Sequence, residues 1–169
     1  YLNAGETWPL DHLLDAVTIA SANDAAMAIA EGLWGSEEAY LKVANARARS
    51  LGMKDTVVNG VHGLPPDKGD PFDVTTAVDM AILARACVEK AAIMDLVGKK
   101  EFQFRPEDSV KFNTNKLLWR MEDCDGLKTG SARPVFASRL RPSETDVGLS
   151  VSSWAPRAST ADFNWPRIP

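Results

Sequence analysis

The sequence predicts an α+β fold in which helices dominate. Three observations carry this expectation. Apolar residues recur at helical spacing through most of the first hundred positions. Strand-type alternation appears at Glu101-Phe102-Gln103-Phe104-Arg105, and clusters of Gly, Pro, Asp and Asn punctuate the segments. With 169 residues, 45% of them hydrophobic, the chain is long enough for one core. A net charge of -4 offers no basic face to a phosphate backbone, so nucleic acid is not an expected partner.

In chain order, Leu10, Leu13, Leu14 and Val17 fall at i, i+3, i+4 and i+7, and Thr7 with Pro9 supplies a helix start. Ser21-Ala22-Asn23-Asp24 then favours a break, after which Ala25-Ala26-Met27-Ala28-Ile29-Ala30 resumes strong helix propensity. Gly35 ends that second helix. Ser36 can cap a third, whose apolar face is Leu41, Ala44, Ala48 and Leu51 and whose stop is Gly52. The Gly-, Pro- and Asp-rich stretch 55–73 reads as a surface loop. Thr76 followed by Asp79 resembles a capping box opening a helix to about Lys90. A shorter helix through Ile93, Met94 and Val97 ends at Gly98, ahead of the alternating segment 101–105.

Two short constellations carry chemistry. Ser21-Ala22-Asn23 sits between two helices, where side chains can project into a cleft, although Ser and Asn are also ordinary helix caps. Lys128-Thr129-Gly130 sets a cation and a hydroxyl beside a residue without a side chain, and alone is unspecific. In this order, about a hundred residues apart, they resemble the second and third motifs of the serine penicillin-recognising enzymes. The neighbourhood narrows the resemblance: Ile19-Ala20-Ser21-Ala22-Asn23-Asp24-Ala25-Ala26, Leu51-Gly52-Met53, Thr75-Thr76-Ala77, Asn113-Thr114-Asn115 with Leu117-Leu118, and Asp125-Gly126-Leu127-Lys128-Thr129-Gly130. Across roughly residues 3–130 the chain is similar to the low-molecular-mass D-alanyl-D-alanine carboxypeptidases, peptidase family S11.

That resemblance implies the β-lactamase/DD-peptidase fold, a mainly antiparallel sheet carrying a helical lobe, here with the helical lobe dominant and the sheet incomplete. It implies serine-type removal of the terminal D-Ala from peptidoglycan stem peptides, without metal or organic cofactor, and recognition of β-lactam antibiotics. Ser21 would relay a proton toward the leaving group. Asn23 would bind the substrate amide and help position a catalytic lysine. Lys128 and Thr129 would hold the terminal carboxylate, Gly130 would admit substrate close to a sheet edge, and the Ser131 amide would donate to the oxyanion. The parent enzyme is expected outside the cytoplasm, in the periplasm or on the outer face of the cytoplasmic membrane, with its membrane association open.

One departure decides the expectation for activity. No serine is followed three positions later by lysine; Ser109 and Lys111 are one position too close. The acylating Ser-x-x-Lys pair is expected upstream of Tyr1, which is not read as the biological start, and the 169 residues alone should show little or no turnover. Two other readings stay open: a non-catalytic remnant that binds stems or β-lactams, and a β-lactamase, disfavoured because Ala22 stands where that group has Asp.

The division expected is a partial catalytic domain over 1–130, including a K-T-G strand, and a divergent tail over 131–169. The tail holds seven Ser, five Arg, five Pro and no Lys, against nine Lys and five Arg before it. It is read either as ordinary divergence or as out-of-frame translation, since Ser153-Trp154-Ala155-Pro156 shifted by two nucleotides can encode Leu-Gly-Ala-Pro. Cys87 reads as a small buried hydrophobe, with a Cys87–Cys124 pairing left open. His12 and His62 read as unrelated packing or surface histidines, and Trp34, Phe102, Phe104 and Trp119 as core or partly buried aromatics.

Overall fold

Proline at position 9 cannot donate a backbone hydrogen bond, and the first helix begins just behind it. In the computed structural model α1 spans Leu10–Ala20, with the Pro9 carbonyl accepting from the Leu13 amide and no side chain capping the end. The helix starts beyond Thr7, which the sequence had suggested, because Pro9 takes the cap position. The structure describes residues 2–67 and 69–130 and the backbone of 135–139 and 149–153.

Five further helices follow: α2 (Asn23–Trp34), α3 (Glu37–Leu51), α4 (Ala77–Val88), α5 (Ala91–Val97) and the single turn α6 (Leu117–Arg120). Local chemistry sets the ends of α3 as expected. Ser36 Oγ accepts from the Ala39 amide at 3.1 Å, and Gly52, at φ +86°, lets Met53 N donate back to the Ala48 carbonyl. Thr76 Oγ1 likewise accepts from the Asp79 amide at 3.1 Å and opens α4. The Asp79 carboxylate does not complete a capping box. It is buried and accepts instead from the Asp55 amide at 2.9 Å and Thr56 Oγ1 at 2.7 Å, fastening the start of the long loop to α4.

That loop is pinned at several points. Val57 and Val74 form an antiparallel bridge, Asn45 on α3 bonds both backbone groups of Val58, and Asp73 Oδ1 accepts from the amides of Asn59 and Gly60.

The strand expected over 101–105 shortens to β1 (Glu101–Phe102), paired antiparallel with β2 (Lys111–Phe112) in the register Glu101↔Phe112 and Phe102↔Lys111. Side chains draw the following backbone into a turn. Asp108 accepts from the Arg105 amide, and Gln103 Nε2 donates to the carbonyls of Pro106 and Asp108. In the tail, which shows little sustained periodicity, β3 (Val135–Arg139) pairs antiparallel with β4 (Leu149–Ser153), Val135 opposite Ser153 and Arg139 opposite Leu149. The remainder of the divergent tail, including the frame-shift reading at 154–156, lies outside the described residues.

Helix packing rests on small residues. Ala16, Ala25, Ala30, Ala48 and Ala81 are buried together with Ile19, Met53, Val97, Leu118 and Cys124. Helix α2 lies between α1 and α3, while α5, β1 and β2 lie against α1. Phe102 and Phe104 are half-buried around His12, whose Nε2 lies 2.6 Å from the Phe104 carbonyl and whose ring stacks on Trp8. Trp34 and Trp119 are 37% and 45% exposed, which removes them from the core. Neither cysteine is in a disulfide: Cys124 is buried, and Cys87 is only half-buried, its thiol pKa raised by that burial.

Candidate active site

Ser21 occupies the junction of α1 and α2 in a left-handed conformation, φ 57° and ψ 42°. It is the one non-glycine residue with positive φ among those described. The amides of both Ser21 and Ala22 donate to the Ala16 carbonyl, closing α1, and Ala22 in extended conformation opens α2 without a side-chain cap. The capping explanation of Ser21-Ala22-Asn23 therefore fails here. A left-handed position usually goes to glycine, because a Cβ costs about 1 kcal/mol or more there. A serine held in it is a reason to look at its hydroxyl, and Ser21 Oγ accepts from Lys128 Nζ at 3.0 Å.

Lys128 is brought to that junction by the triplet Asn113-Thr114-Asn115. Asn113 is anchored by its side-chain amide, which donates to the carbonyls of Val97 at 3.2 Å and Lys99 at 2.8 Å. The Thr114 amide donates to the Ile19 carbonyl at 3.3 Å, two residues before Ser21. Asn115 is fully buried. Its Nδ2 donates to the Gly126 carbonyl at 3.1 Å, and its Oδ1 accepts from the Leu117 amide at 3.2 Å, which starts α6.

Gly126 itself packs directly on α5. A Cβ there would stand 2.8 Å from Val97 Cγ2, closer than carbon atoms tolerate, so the approach requires glycine. The chain thus reaches Lys128 from a fixed point.

Lys128 Nζ also donates to the Thr129 carbonyl at 2.6 Å. Partial burial strips water from the ammonium and lowers its pKa below the usual lysine value. Thr129 Oγ1 lies 2.7 Å from Thr114 Oγ1, and Gly130 is exposed, with open space where a Cβ would stand. Among the described residues, 127–130 form no strand, so the expected K-T-G strand is not seen there.

Of the candidate residues, the structure brings together Ser21, Lys128, Thr129 and Gly130. Asn23 is exposed on the first turn of α2, two residues beyond Ser21, and Ser131 lies outside the described residues. Thr114, Asn115 and Gly126 were not legible as site-builders. They entered only as matching letters in Asn113-Thr114-Asn115 and Asp125-Gly126, with no role attached to them. Chemically, an ammonium with a lowered pKa bonded to a serine hydroxyl can move a proton and attract an anion, and an adjacent threonine hydroxyl can bind it. Among the described residues no three His, Cys, Asp or Glu side chains gather as a metal site would require.

The family model described as D-alanyl-D-alanine carboxypeptidase, peptidase family S11, matches residues 1–136. The chain is 35% identical over 133 residues to the D-alanyl-D-alanine carboxypeptidase DacF of Bacillus subtilis, covering 77% of this chain and 33% of that one. Penicillin-binding protein 6B from Escherichia coli superposes with a TM-score of 0.75 at 26% identity, over 85% of this chain and 45% of that one. Penicillin-binding protein D2 from Listeria monocytogenes, in its cefotaxime-bound form, superposes with a TM-score of 0.69 at 27% identity, over 81% and 56%. The chain spans about a third of the length of the curated relatives it matches. The chain thus carries the β-lactamase-like fold of the penicillin-binding proteins and belongs to the D-alanyl-D-alanine carboxypeptidase family.

Proposed function

We propose that this site serves serine-type hydrolysis of the terminal D-Ala-D-Ala bond in peptidoglycan stem peptides, with β-lactams as competing ligands. The observation that carries the reading is the 3.0 Å bond between Lys128 Nζ and Ser21 Oγ, which joins the two motif segments into one polar site. In this reading Ser21 passes a proton to the departing D-Ala amine, and Lys128 with Thr129 holds the terminal carboxylate through charge and a hydroxyl donor. Asn23 faces the substrate amide, Gly130 leaves room for an extended peptide backbone, and Ser131 supplies an oxyanion amide. The cefotaxime-bound Listeria relative supports β-lactam recognition at such a site. Because the substrate is a wall polymer, the protein is placed outside the cytoplasm.

The nucleophile is a separate matter. None of the serines in the 169 residues has lysine three positions on, so this chain is expected to bind without acylating. Incubation with a fluorescent penicillin followed by intact-mass measurement tests this. Saturable fluorescence binding, competed by N-acetyl-D-Ala-D-Ala and leaving the chain's mass unchanged, is the expected result. A stoichiometric covalent adduct would overturn the assignment of roles, and no binding would remove the substrate reading.

A further inference from the structure

Thr114 touches both halves of the site. Its backbone amide donates to Ile19 at the end of α1, and its hydroxyl lies 2.7 Å from that of Thr129. On either side, Asn113 and Asn115 fix the triplet to α5 and to Gly126, so Thr114 Oγ1 is presented from a rigid support. We propose that Thr114 is a positioning residue that sets the direction of the Thr129 hydroxyl. The inference rests on the reading of Lys128 and Thr129 as the carboxylate site.

The proton inventory gives the direction. A hydroxyl donates one hydrogen and accepts up to two. A carboxylate can only accept, so Thr129 must spend its single hydrogen on the ligand. Its bond to Thr114 must then run the other way, Thr114 donating and Thr129 accepting. The resulting chain from Thr114 to Thr129 to carboxylate is polarised in one sense, and each bond strengthens the next. Without Thr114 the Thr129 hydroxyl can rotate and donate elsewhere. Serine at position 114 keeps the donor; valine keeps the shape and loses it.

The test uses the isotope-labelled 169-residue chain as wild type, T114S, T114V and T114A. Three-bond couplings report the χ1 rotamer of Thr129, and amide shifts titrated with N-acetyl-D-Ala-D-Ala report affinity. Wild type and T114S should show one rotamer and equal affinity. T114V and T114A should show rotamer averaging at Thr129 and roughly fivefold weaker binding, the loss of about one net hydrogen bond. Unchanged amide shifts in the helices establish that each variant is folded, and Thr114 is exposed, so all three substitutions are sterically tolerable. A folded T114V chain that keeps the single rotamer, or that binds the dipeptide as tightly as a binding-competent wild type, overturns the proposal. Rotamer averaging in T114V, with no binding of the dipeptide by wild type, keeps Thr114 as the positioning residue and rejects the carboxylate reading alone.

Discussion

Lys128 Nζ lies 3.0 Å from Ser21 Oγ across a separation of 107 residues. Ser21 is set by the end of α1 and Lys128 by the 113–115 triplet and Gly126, and the Thr114 amide on the Ile19 carbonyl ties these two supports together.

Burial lowers the Lys128 pKa from its usual 10.5. The folded chain therefore holds this proton less tightly than the unfolded chain does, and stability rises with pH across that window. The cost of burying the charge is fully present below the folded pKa and disappears once pH exceeds 10.5, where the unfolded lysine is also neutral. K128M, which has no charge to bury, should be at least as stable as wild type at neutral pH. The difference should narrow as pH approaches 10.5, measured by urea denaturation at a series of pH values.

Ser21 pays for its conformation. S21G should lie between unchanged and about 1 kcal/mol more stable, because relief of the left-handed strain is partly offset by the added freedom of the unfolded chain. It should nonetheless lose ligand binding. S21V should cost more than about 1 kcal/mol, since a β-branched side chain fits a positive φ worst. Equal stabilities for wild type, S21G and S21V in thermal melts would contradict the strain assignment.

Gly126 meets Val97 without room for a methyl group. G126A should destabilise by about 1–3 kcal/mol through overpacking, and V97A, which opens a buried site, by about 2 kcal/mol. Because the two atoms compete for one space, G126A/V97A should fall short of the summed costs by about 1 kcal/mol or more. Strict additivity in denaturant midpoints would rule out the direct clash.

Glu6 ties the first residues of the chain to the 101–108 turn. Hydrogen bonds from the Asn3 side chain and amide lead, followed by Trp8 Nε1 and the Arg105 guanidinium, and together they lower its pKa from 4.5 to about 2. For an acid with a depressed folded pKa, the contribution is complete above 4.5 and is lost as pH falls through about 2. The Trp8 indole N–H resonance should keep its docked shift down to about pH 3, by the span of that depression, and move in stronger acid. In E6Q that acid-dependent movement should vanish, and in high salt the docking should weaken.

Wherever local chemistry decides, the sequence is legible: Ser36, Thr76 and Gly52 mark their helix ends because a cap acts within four residues. Asp79 was misread because its carboxylate serves a backbone amide 24 residues away. The segment after Phe102 was misread because Gln103 and Asp108 prefer a turn to a ladder. In the site, Ser21, Lys128 and Thr129 were legible as motif letters. Asn115 was not, since donating to a carbonyl eleven residues on leaves no periodic trace.

The long separation between Ser21 and Lys128 also bears on how the chain folds and varies. Helices α1, α2 and α3 meet their sequence neighbours and can form early, whereas the site appears only when a loop of about a hundred residues closes. Closure entropy grows only with the logarithm of length. Ten residues inserted into the exposed stretch 62–65 would raise its cost by only on the order of 0.1 kcal/mol. The distance between the two motifs along the chain is therefore cheap to change, while the few bonds made by residues 113–115 are not.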